Sequence, residues 1–150
     1  MRSTVAVLAG FVVVAALSLV TDQVLHVLNV YPPWGEPMWN PWLNLLALTY
    51  RTIYTVAGGY LTATLAPRDP MRHVIILGCI GTVFGVLGAV TAISMADLGP
   101  SWYPILLAVT GFPAIWFGGW VRDQGSGNRD RGVEAGGRAE VASASRRTVL

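Results

Sequence analysis

VIILGCIGTVFGVLGAVTAISM, residues Val74–Met95, contains no Asp, Glu, Lys or Arg. A helix crosses a bilayer with ~20 mostly apolar residues, so this run is long enough to span. Three more stretches read the same way: Val5–Val27, Pro41–Ala66 and Trp102–Val121. A soluble bundle would repeat a polar face along each helix. Neither FVVVAALSLV (Phe11–Val20) nor HVIILGCIGTVFGVLGAV (His73–Val90) carries a charged one. The expected fold class is therefore all-α, a transmembrane four-helix bundle over residues 1–121.

Composition agrees. Of 150 residues, 53% are hydrophobic and 12% charged, with mean hydropathy +0.54. Soluble domains carry about 25% charged residues. A net charge of +2 is too small to imply a nucleic-acid partner, and the expected partner is the lipid bilayer. Cys79, the single cysteine, has no thiol to pair with and reads as a small buried apolar residue. Arg2 before the first run and Ala16-Leu17-Ser18 within it loosely resemble a secretory leader. The run continues past that point, which favours an uncleaved first helix.

Arginine placement sets the expected orientation. Arg2, Arg68, Arg72 and Arg122 fall on one side, whereas the loops Asn29–Asn40 and Ala96–Ser101 contain Glu36 and Asp97 but no Lys or Arg. By the positive-inside rule both termini are cytoplasmic. Tyr31, Trp34, Trp39, Trp42, Trp102 and Tyr103 gather at the outer ends, as interfacial anchors do. Beyond Val121 the chain turns rich in Gly, Arg, Ser and Ala, and residues 122–150 are expected to form a disordered cytoplasmic tail.

A faint repeat links the two halves. Trp39-Asn40-Pro41 and Trp102-Tyr103-Pro104 open the second and fourth spans, and Gly58-Gly59-Tyr60 and Gly118-Gly119-Trp120 lie near their ends. The expectation is two pseudo-repeated helical hairpins. Gly78, Gly81, Gly85 and Gly88 form a small-residue stripe on the third span, continued by Ala92; Gly111, Ala114 and Gly118 do so on the fourth. Such faces allow close helix packing, either within the bundle or against a second copy or another membrane protein. Pro113 is expected to kink the fourth span.

The chemistry-bearing residues lie on the first two spans. Ser18, Asp22, His26 and Asn29 share one helical face. Asn44, Arg51, Thr55, Gly58 and Thr62 form a stripe on the second span, flanked by Tyr54. Counted back from the outer loop at 1.5 Å per residue, Asp22 and Arg51 reach similar depths. An unpaired Arg or Asp at mid-helix costs ~2.5–3.5 kcal/mol, and pairing reduces both costs. Asp22, His26, Asn44, Arg51 and Tyr54 are thus the expected intramembrane polar cluster, forming a polar pocket between spans one and two. Three readings stay open: a fixed ion pair, a small-molecule or ion site (with Asp22 as the titrating group of a proton or ion pathway), and a metal site using Asp22 and His26 with Glu36 or Asp97. No three-ligand spacing supports the last. No Ser-His-Asp arrangement, P-loop or dinucleotide glycine motif is present, so neither catalytic residues nor cofactors are expected.

The pattern TDxxLHxxxVYPPWGxPM (Thr21–Met38), YRTxYxxxGGYxxAxLAPxxPMRH (Tyr50–His73) and GPxWYP with a terminal GGW (Gly99–Trp120) resembles a group of small bacterial inner-membrane proteins. The resemblance covers all four spans but not the tail, and implies a discrete multi-pass protein of the bacterial inner membrane without implying an activity. Small multidrug transporters fit poorly, since Arg51 would neutralise the acidic residue of span one. Tryptophan-rich sensory proteins have one span more. The expected role is a non-enzymatic accessory or structural membrane protein; the alternative is a small proton- or ion-coupled transporter using Asp22, His26 and Arg51.

Overall fold

A computed structural model describes residues 2–94 and 99–147, with side chains for residues 3–94 and 99–125. Its described residues form an all-α bundle: α1 (Arg2–Val27), α2 (Pro41–Leu65), α3 (Pro70–Ser94) and α4 (Trp102–Arg147). Three stretches are long and apolar enough to cross a membrane: Ser3–Val27, Pro70–Ser94 and Trp102–Gly125. Despite its comparable length, α2 is not among them; Arg51 and its threonines lower its hydropathy.

Local chemistry sets the helix ends. Asn29 takes the left-handed conformation at φ 55°. The Val30 and Asn29 amides bond back to the Leu25 and His26 carbonyls, closing a Schellman motif. That turn leads directly into Tyr31. Asn40 caps α2, its side chain accepting from the Trp42 amide at 3.0 Å, with Pro41 at the first helical position. Inside the helices, Thr49, Thr52, Thr55, Thr64, Thr82, Thr91 and Thr110 each donate to the carbonyl four residues earlier. This satisfies hydroxyls without water.

Helix α2 packs against α1, α3 and α4, while α3 packs also on α4 and on α1. Among the described residues the backbones of α1 and α4 do not come close to each other. Ala47 and Tyr50, early in α2, group with Tyr103 at the start of α4. Late residues of both helices also meet: Gly59 faces the Ile115 backbone, and Gly118 faces the Val56 carbonyl. The two helices therefore run parallel, and the two glycine doublets of the sequence repeat meet at their crossing.

Two buried clusters stand at different levels. Val7, Ala63, Val74, Leu77 and Ile115 form one, with Phe11 against it. Tyr31, Ala47 and Tyr50 form the other, with Leu25, Tyr54 and Tyr103. Elsewhere the surface is apolar: Leu8, Val12, Leu19, Val83, Phe84, Leu87, Val109 and Phe117 are exposed. Such a surface suits lipid rather than water.

Several expectations need correction. Cys79 is exposed, not buried; it shares the outward apolar side of α3 with Ile80. Gly88 is open, with no neighbour near a Cβ placed there, so the α3 stripe is not one continuous contact. The backbone does not break at Arg122: α4 continues to Arg147 through a stretch containing the good helix formers Ala, Arg and Glu. The side chains of residues 126–147, and residues 95–98 and 148–150 altogether, lie outside the described residues, Asp97 among them. Pro113 lies inside α4, as expected.

Candidate functional site

Asp22, near the end of α1, is buried to 5% exposure. Its carboxylate is engaged on both oxygens. Oδ1 accepts from the Tyr50 hydroxyl, and Oδ2 accepts from Arg51 Nη2 at 2.5 Å. Tyr50 and Arg51 are adjacent on α2, so one turn of helix supplies a neutral donor and a cationic one. The Tyr31 hydroxyl stands 3.5 Å from both the Tyr50 hydroxyl and the Leu43 carbonyl, which is long for hydrogen bonding. Burial raises the Tyr31 pKa above its ordinary value, because the phenolate is harder to desolvate than the phenol. Beside the pair, Tyr54 and Thr21 share a hydroxyl–hydroxyl bond of 2.9 Å. Tyr50 and Tyr54 pack ring to ring at 5.7 Å.

Asp22, Arg51 and Tyr54 thus come together as a cluster, whereas His26 and Asn44 do not join it. His26 Nδ1 donates to the Asp22 backbone carbonyl at 2.7 Å, not to its carboxylate, because a carbonyl can only accept. The ring stacks on Trp34 at 3.9 Å and meets Tyr31 edge-on. His26 therefore holds the outer loop. Asn44 is buried, and its amide donates to the Met38 and Asn40 carbonyls at 2.9 and 3.0 Å. It fixes the loop's return into α2. Tyr50 and Tyr31 are the residues that sequence reasoning passed over; the Tyr50-Arg51 doublet was the available signal. No group of three or more His, Cys, Asp or Glu is placed to hold a metal among the described residues.

The pair borders a cavity of about 200 Å³. The expected polar pocket lay between spans one and two, but this space reaches all four helices and is mostly apolar. Phe11, Leu77, Phe84, Leu107 and Ile115 line it, with Ser18, Thr55 and Arg51 as its polar groups. It arises because α1 and α4 stay apart and because Gly81, Gly85 and Gly111 face it without side chains. Arg51 keeps 30% of its side-chain surface accessible, and its Nε–H is buried without a partner.

The three apolar helices fit a small integral membrane protein. No protein-family model matches the chain, and neither does any curated protein or solved structure.

Proposed function

We propose that this chain is a non-enzymatic accessory protein of a bacterial inner membrane, with four spans, both termini cytoplasmic and Asp22–Arg51 as a structural ion pair. The observation that carries this reading is the double engagement of the Asp22 carboxylate by Tyr50 and Arg51. A proton carrier needs a carboxylate that can release its partners as it takes up a proton, and a neighbour to pass the proton on. Here both oxygens are occupied, and His26 is committed to a backbone carbonyl. Support for α2 as a span comes from its length and from this neutralisation of Arg51. The kinship with small multi-pass proteins carried by Thr21–Met38, Tyr50–His73 and Gly99–Trp120 belongs to the same proposal.

Proteoliposomes with an imposed pH gradient test it. The expected result is no proton flux above that of empty liposomes, for both the wild type and Asp22→Asn. A wild-type flux abolished by Asp22→Asn would establish the transporter instead.

A further inference from the structure

We infer that the central cavity binds a neutral, hydrocarbon-soluble carbonyl compound of the quinone class, its ring against Phe11 and Phe84 and a carbonyl oxygen accepting from Arg51. The inference extends the accessory reading by assigning the same bundle a ligand.

Size and dryness come first. The cleft has a volume of about 200 Å³, comparable to an engineered apolar cavity of ~150 Å³ that binds benzene, and at Phe84 it meets the exposed apolar surface. The lining has few polar groups to hold water, and ordered water needs two to four such partners. The space therefore favours an apolar occupant large enough to include a ring. Phe11 and Phe84 lie 5.5 Å apart at 47°, and both border the cavity, offering aromatic surfaces to a planar ligand.

Arg51 sets the head group. One of its hydrogen-bond donors goes to Asp22 and Nε–H has no partner, although a guanidinium carries five N–H bonds. Arg51 lines the cavity and keeps 30% of its side-chain surface accessible; Nε–H itself is buried, so a ligand acceptor would meet the guanidinium's remaining Nη–H groups. Charge excludes a carboxylate. Asp22 already neutralises Arg51, and a second anion in a dry site would be uncompensated. Depth separates the remaining acceptors. Arg51 lies ~15 Å along α2 from Pro41 at 1.5 Å per residue, near the middle of a hydrocarbon layer ~30 Å thick. Glycerolipid ester carbonyls sit at the interface, whereas a prenylated quinone ring can enter the hydrocarbon.

The glycines make a clean test. A Cβ at Gly111 meets no atom within 4 Å, and Gly111 borders the cavity. Gly111→Leu should fill the space while leaving the ion pair in place. Purified full-length protein would be titrated calorimetrically, in detergent without a gradient, with decylubiquinone, dodecylbenzene and laurate. The expected result is saturable decylubiquinone binding, with dodecylbenzene and laurate each about tenfold weaker for want of a neutral acceptor. Gly111→Leu should keep wild-type helicity and lose the binding. No decylubiquinone binding, equal binding of dodecylbenzene, or tighter binding of laurate would overturn the assignment. So would undiminished binding by a folded Gly111→Leu. If that variant fails to fold, the three wild-type titrations still decide. Flux plays no part in these readings, so failure here leaves the accessory role standing, and a measured flux leaves the ligand assignment to be judged separately.

Discussion

Gly59 and Gly118, one from each glycine doublet, lie on two parallel helices, each turned toward the other helix's backbone. A Cβ on Gly59 would collide with the Ile115 carbonyl, and one on Gly118 with the Val56 carbonyl. Neither obstacle is the end of a flexible side chain, so neither can move aside cheaply.

Gly59→Leu and Gly118→Leu should therefore each destabilise the bundle by about 1–3 kcal/mol or more, the range for overpacking. Gly88→Leu should be silent, since Gly88 has no neighbour in reach. Detergent melting temperatures decide the matter. A stable Gly59→Leu, or a Gly88→Leu as damaging as the other two, would contradict the packing described.

The Asp22–Arg51 contact predicts strong coupling. Asp22→Ala and Arg51→Ala should each cost about 3–5 kcal/mol by leaving a buried charge without its partner. The double variant should cost less than the sum. Additive losses in a double-mutant cycle would mean that the two side chains do not interact.

Tyr50→Phe tests the other half of the carboxylate. Removing the hydroxyl takes away a donor to a charged acceptor, worth about 1.5–3 kcal/mol. Tyr54→Phe should cost less, because its partner is the neutral, partly exposed Thr21. Equal losses would show that Asp22 gains nothing particular from Tyr50.

Alkaline pH should act on the outer cluster. The pKa of Tyr31 is raised on folding, so the unfolded chain loses this proton first. Its contribution to stability is complete below pH ~10, the unfolded value. It is then lost as pH rises through the folded pKa. Tyr31→Phe should flatten the fall in melting temperature above pH ~10, and an unchanged slope would exclude Tyr31 as its source.

Orientation is open to a direct check. Reporter fusions after Arg122 and within Pro33–Pro37 should report opposite compartments, the first cytoplasmic. Matching signals would remove the even number of crossings on which the proposed topology depends.

The helices were legible because long apolar runs have few alternatives. Their starts were less so: α1 begins at Arg2 and α3 at Pro70, upstream of the apolar runs at Val5 and Val74. Hydrogen bonding extends a helix into polar flanks, and Pro70 suits a first turn. In the candidate site, depth arithmetic brought Asp22 and Arg51 together. It misassigned His26 and Asn44 for one shared reason: each bonds a carbonyl four residues earlier, which spacing on a helical face does not reveal. Tyr31 was read as an interfacial anchor because it stands among residues of that kind. Its burial depends on the Asn29 turn, which no periodicity encodes.

The modest hydropathy of α2 bears on how the chain is assembled. Arg51 would burden α2 if that segment entered a membrane alone. Its counter-charge, Asp22, belongs to α1, which is synthesised earlier and is apolar enough to insert independently. The loop between them, residues 28–40, is held by Asn44, His26 and Trp34. Biogenesis should thus proceed by paired entry, with α1 acting as the template that admits its less apolar neighbour.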